Sequence, residues 1–252
     1  SPSNPSRNRS ILVGLIRDLA SPLATRFELR SPNPHSNVYL TMATSYMAML
    51  DGILYAVNNN KSQDDLLAEI SKKSGEAADY LEKDREYRSE EDVFEAFSDE
   101  ERDKYFGKAP ATIYENISAL AKYPEKVQVL KRNDVLTEQL IDSVKMAVTN
   151  RWILEISHRV INSYGDKIRG YKALHSVDKA LDLDITNWTN INNLRVYIMK
   201  DTYTNKSLFT RIKEAFDKKD LELASNLYIE LEEKMEELRK LYSSYKRNLL
   251  DI

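Results

Sequence analysis

Cysteine is absent from the 252 residues. No disulfide framework and no thiolate chemistry is open to the chain. Histidine is nearly absent. His35, His158 and His175 are scattered and are read as structural or exposed, not as metal ligands. Breakers are scarce, with 6 Gly and 7 Pro, and most of the Pro lie before residue 35. A chain so poor in breakers is expected to be mainly helical. There is no phosphate-loop, dinucleotide or metalloprotease motif. Ser10 has no base partner in reach of the sequence pattern, which argues against nucleophilic catalysis. No apolar run is read as long enough to span a membrane, and no signal-peptide pattern opens the chain. The expectation is a cytoplasmic protein.

An excess of one charge is also missing. Acidic residues number 40 and basic ones 37, a net charge of −3. That balance argues against a broad surface for nucleic acid or an anionic membrane, and leaves room for a local basic pocket. Neither nucleic acid nor a membrane is an expected partner. The composition, 42% hydrophobic and 31% charged, is that of a core-forming chain. Its opening, "SPSNPSRNRS", has no Met and enters a Pro- and Ser-rich loop directly. The expectation is a fragment that lacks an N-terminal part.

Residues 1–35 hold Arg7, Arg9, Arg17, Arg26 and Arg30 against Asp18 and Glu28 alone. "SILVGLI" (10–16) is a β-rich apolar run, and "ATRFELR" (24–30) alternates. "RDLASP" joins them at hairpin length. Two strands alone are marginal in water, so they would normally belong to a larger sheet. In "RFELR", alternate side chains face opposite ways. Phe27 and Leu29 would face a core, and Arg26, Glu28 and Arg30 would line the other side. Such a row is either a solvated ion-pair series or a wall that holds a metal ion and an anion together. Arg suits bidentate binding of carboxylate and phosphate, and an ionised Glu can ligate a divalent ion.

Helices follow. Ser36 or Asn37 can cap a helix whose apolar face is Leu40, Ala43, Met47, Leu50 and Leu54. Residues 61–106 carry 16 acids against 8 bases and are read as short, exposed helices. In "SEED" (89–92), Ser89 is the expected cap and Asp92 the N3 acid. "APATIYENISAL" starts another helix, with Pro110 near its first turn. A long helix is expected from about Asp134 to Tyr164, its face built from Leu136, Leu140, Val144, Ala147, Val148 and the Trp152–Ile156 cluster, with Gly165 ending it. Residues 165–206 are less regular, with Trp188 as a buried anchor. Ala224, Tyr228, Leu231, Met235, Leu238, Tyr242, Tyr245 and Leu249 form a heptad seam. With a shorter helix over 207–217 this predicts a helical hairpin across "DKKD", packed on the long helix or on a neighbouring subunit. The expected fold is mainly α, a helical bundle preceded by a short two-stranded β segment that would belong to a larger sheet.

"RNRS" (7–10), "RFELR" (26–30), "NVYL" (37–40) and "LDGI" (50–53), in this order and spacing, resemble the C-terminal signature of glutamine synthetase. "APATIYENISAL" and the long helix look like the closing helices of that family, and residues 166–252 like a helical extension of its longer bacterial forms. The resemblance implies the end of the catalytic domain over 1–60, an acidic helical segment and closing helices over 61–165, and the extension over 166–252. It implies that Arg9 contacts the glutamate substrate and the transferred phosphate, that Arg26 lies near the nucleotide phosphates, that Glu28 ligates the metal bound with ATP, and that Arg30 stabilises the phosphorylated substrate. A second family Arg falls at Gly14; Arg17 is the nearest candidate, at longer spacing. Val38 replaces the usual Pro of the third block. No tyrosine for adenylylation is matched.

The implied enzyme uses ATP with Mg2+ or Mn2+ to phosphorylate the γ-carboxylate of glutamate, and ammonia then displaces phosphate. The full-length protein would be a ring-shaped homo-oligomer. One Glu cannot make its metal site, so the isolated chain is expected to bind no cofactor and to be inactive. The alternative is a helical oligomerisation or interaction module without a catalytic role.

Overall fold

The computed structural model describes residues 10, 12–16, 20–176 and 178–247. It is mainly helical, with one two-stranded sheet ahead of the helices, as the scarcity of breakers predicts. Strands β1 (Val13–Ile16) and β2 (Arg26–Leu29) precede α1 (Val38–Asn58), α2 (Gln63–Ile70), α3 (Val93–Ala96), α4 (Asp99–Arg102) and α5 (Ile113–Lys122). Then come α6 (Pro124–Lys131), α7 (Glu138–Leu154), α8 (Ile161–Gly170), α9 (Asp182–Met199), α10 (Leu208–Asp217) and α11 (Leu221–Arg247). The chain divides into two compact units. One is Ser1–Ala109 with Pro124–Glu138, the other Pro110–Tyr123 with Gln139–Ile252.

In the first unit, β1 and β2 pair antiparallel, Val13 with Leu29, Gly14 with Glu28, Leu15 with Phe27 and Ile16 with Arg26. Directly opposed residues share a face. Val13, Leu15, Phe27 and Leu29 therefore form an apolar side, and Gly14, Ile16, Arg26 and Glu28 lie on the side that carries the charges. The expectation that Phe27 and Leu29 face a core is not met, because both are exposed.

Asn37 caps α1, its side chain accepting from the Leu40 N–H at 3.2 Å. The expected inner face holds: Met47 is buried, Leu40, Ala43 and Leu54 are half-buried, and only Leu50 is exposed. This face packs on α6. A second stripe, Tyr39, Met42, Tyr46, Met49, Ile53 and Val57, is exposed. One expectation is corrected here. By length and composition, α1 is long and apolar enough to cross a membrane. Thr41, Thr44, Ser45 and Asp51 interrupt the run, which hides it from a search for an unbroken apolar segment. Asp51 is paired within the unit, accepting from the Tyr80 hydroxyl at 2.5 Å and from Arg132 Nη2 at 3.1 Å. The first of these bonds, with burial, pushes the Tyr80 hydroxyl up to about 12.

The acidic block forms α2, α3 and α4 joined by ordered loops. Ser62 and Asp65 make a capping box at α2, and Ser98 and Glu101 another at α4. The expected cap Ser89 is wrong: Asp92 caps α3 by accepting from the Phe94 N–H at 2.9 Å. Asp92 is closer to the apolar Val93, where the turn begins. Lys72 is buried in this charged segment. Its ammonium donates to the carbonyls of Lys83 at 2.8 Å and Arg85 at 2.7 Å, pinning the 71–88 loop.

The second unit holds the larger core. Trp152, Ile156, Ile161 and Ile168 meet Ile191, Ile198, Leu208, Ile212, Leu231 and Leu238. The long helix runs past its expected end. A π-helical turn, Glu155–Val160, joins α7 to α8, and Gly165 lies buried within α8. There it is packed beside Phe209, so it serves close packing and does not stop the helix. The expected face is met in part. Leu136, Trp152 and Ile156 are buried, while Leu140, Val144, Ala147 and Val148 are exposed. Residues 182–199, read as irregular, are the helix α9.

The C-terminal hairpin is as the heptad predicts. Ala224, Leu231, Met235, Leu238 and Tyr245 are buried, and Tyr228 and Tyr242 pack partly buried on the same core. Leu249 lies outside the described residues. Helix α11 packs chiefly on α10 and α9, within its own unit.

Candidate functional site

Arg26 and Glu28 lie on β2 two residues apart, and Arg30 continues the row just beyond the strand. The ladder is extended by the Arg30 N–H, which donates to the Leu12 carbonyl at 3.0 Å. All three side chains thus leave the same side of the hairpin, as the alternation predicts. Arg30 Nη2 donates to Glu28 Oε2 at 3.2 Å. Arg26 Nη1 donates to the Ala24 carbonyl at 3.3 Å, just before its own strand. The structure therefore brings Glu28 and Arg30 together and turns Arg26 toward the turn over Pro22–Ala24. The pair is partly exposed, and such pairs contribute no more than about 1 kcal/mol.

Arg9 and Arg17 lie outside the described residues. Ser10 is described. Its hydroxyl accepts from the Val93 N–H at 3.0 Å and so ties the start of the hairpin to α3. Sequence reasoning did not see this link between the Arg-rich segment and the acidic block. Nor did it see that Gly14 lies under the Arg30 side chain, within 3.0 Å of where a Cβ would stand.

Among the described residues, no three acids or histidines gather where a metal ion could sit. A hard divalent cation takes about six oxygen ligands. Glu28 would be one of them, and the described residues do not complete the set. Among the described residues, the hairpin offers one carboxylate and two guanidinium groups on one face.

The alternating row sits in a longer segment with a recognisable pattern. Residues 3–109 match the family model described as glutamine synthetase, catalytic domain. The glutamine synthetase match thus covers the hairpin, α1 and the whole acidic block, and stops at the residue where the first unit gives way to Pro110. Curated glutamine synthetases agree. That of Vibrio cholerae is 36% identical over 111 residues, and those of Salmonella typhimurium and Salmonella typhi are 37% identical over 111. Each alignment takes in 40% of this chain and 23% of the relative. The chain therefore spans about a quarter of the length of these relatives. No solved structure matches it.

Proposed function

We propose that residues 1–109 are the closing part of a glutamine synthetase catalytic domain. The observation that carries the reading is the Glu28–Arg30 pair on one face of a hairpin, inside the segment that matches that domain. The complete enzyme would ligate ammonia to glutamate with ATP through γ-glutamyl phosphate. Arg9, Arg26 and Arg30 would orient the anionic groups and neutralise the charge that builds up on the transferring phosphoryl group. Arg17 would assist where the family's second Arg is replaced by Gly14. Glu28 would supply one ligand to Mg2+ or Mn2+, whose chemistry there is to neutralise phosphate oxygens. The remaining ligands and the ammonia site would come from parts of the enzyme outside this chain.

Exposed apolar surface supports the same reading. The stripe from Tyr39 to Val57 on α1 and the apolar side of the hairpin lack cover. Contiguous surface of that kind marks an interface. In a complete catalytic domain the rest of the sheet and its neighbours would cover it. The homo-oligomeric ring, the cytoplasmic location and the role of 166–252 as an extension belong to this proposal.

A second reading is favoured by one observation. The second unit, outside the matched segment, has its own well-buried core around Ile191, Leu231 and Leu238. A helical interaction module with no catalytic role fits that unit.

The two are separated by assay. The purified chain, given ATP, Mg2+, glutamate and ammonia, should form no glutamine. A chimera in which residues 3–109 replace the aligned stretch of the Vibrio cholerae enzyme should form it. In that chimera Arg30→Ala should lower turnover on the order of 10²-fold with little change in stability. A folded chimera without activity sinks the catalytic reading.

A further inference from the structure

Gly14 pairs with Glu28 across the hairpin, yet it is not in a turn and has no left-handed backbone. Its φ would accept any side chain. Space would not. An ideal Cβ there stands 3.0 Å from Arg30 Nη2, 3.4 Å from Cζ and 3.9 Å from Nε. All three nearest atoms belong to Arg30. Gly14 is buried although its neighbours Val13 and Leu15 are exposed. The same guanidinium reaches Glu28 Oε2 at 3.2 Å.

We propose that Gly14 is a positioning residue, the seat that lets Arg30 fold back over β1 and lock onto Glu28. Two of the contacts of Arg30 build the lock. The bare Cα of Gly14 admits the flat guanidinium against the strand, and the Glu28 carboxylate receives its N–H. Acid and base are thereby closed on each other. A divalent cation approaching Glu28 and an anion approaching Arg30 must both displace this pair. The seat stands on geometry alone. Its meaning for ligand entry rests on the functional reading above.

Phenylglyoxal labelling of the purified chain, followed residue by residue with peptide mass mapping, tests the seat without any turnover. In Gly14→Ala the added methyl makes the guanidinium give way by a few tenths of an ångström, away from Glu28 Oε2 at 3.2 Å. In Glu28→Gln the glycine remains and the charged anchor is lost. Arg30 should label several-fold faster in both variants than in the wild type, with Arg26 unchanged as internal reference. Equal Arg30 labelling in the wild type and both variants overturns the proposal. A parallel rise at Arg26 in Gly14→Ala also overturns it, because the hairpin itself has then opened. An inactive chimera in the ligation assay bears on the catalytic reading and leaves this measurement untouched.

Discussion

The hydroxyls of Thr112 and Ser225 meet at 2.6 Å in the interior of the second unit, joining the start of α5 to α11. Thr112 also caps α5 by accepting from the Glu115 N–H at 3.2 Å. Ser225→Ala removes one buried bond and should cost about 1 kcal/mol. Thr112→Val removes that bond and the cap together and should cost about 2 kcal/mol. Urea unfolding of the two variants checks the order. Equal losses would mean that the cap contributes nothing here.

Leu231 is fully buried on the heptad seam of α11. Leu231→Asp places an unpaired carboxylate in the core and should cost about 4 kcal/mol or more. A thermal melt should show early or lost cooperative unfolding of the second unit. An unchanged melt would refute burial of the seam.

Asp201 organises the start of α10. It accepts from the Ser207 N–H and hydroxyl, each at 2.8 Å, and from the Thr210 hydroxyl at 3.0 Å. These bonds, the Ser207 backbone bond first, hold its carboxyl below the ordinary carboxylate value. A depressed folded value means stability present above the unfolded pKa and lost as pH falls through the folded one. Asp201→Asn should therefore melt below the wild type at pH 7, and the gap should close below about pH 4. A gap that stays constant across that range would assign the effect to shape and not to charge.

Lys219 turns the chain between α10 and α11 with φ at 58°. A lysine there strains against its own Cβ, and glycine does not. Asp220 starts the next helix independently, its carboxylate accepting from the Leu223 N–H at 3.0 Å. Lys219→Gly should raise stability by up to about 1 kcal/mol. A lower melting temperature would show that unfolded-chain entropy outweighs the relieved strain.

Several of these features were readable in the sequence because they are local. Asn37 caps α1 because an amide three positions before Leu40 is a matter of neighbours. The α11 seam follows from three- and four-residue steps alone. The hairpin faces follow from alternation. Other features were hidden because distant residues make them. Helix α9 is rich in Asn, Thr and Ile, poor helix formers, and Ile191 and Ile198 hold it by burial against the rest of the core. Gly165 reads as a helix stop, and the packing of Phe209 beside it keeps it inside α8.

The site shows the same division. Sequence alone determined that Arg26, Glu28 and Arg30 leave one side of a strand, because the two-residue period is a property of the backbone. It also carried the glutamine synthetase pattern in its order of motifs. Only the tertiary structure decided that Glu28 takes Arg30 and not Arg26 as its partner, that Gly14 makes room for that choice, and that the apolar side of the hairpin stands exposed. Each of those depends on what the rest of the unit places around the row, and spacing along one strand does not contain that information.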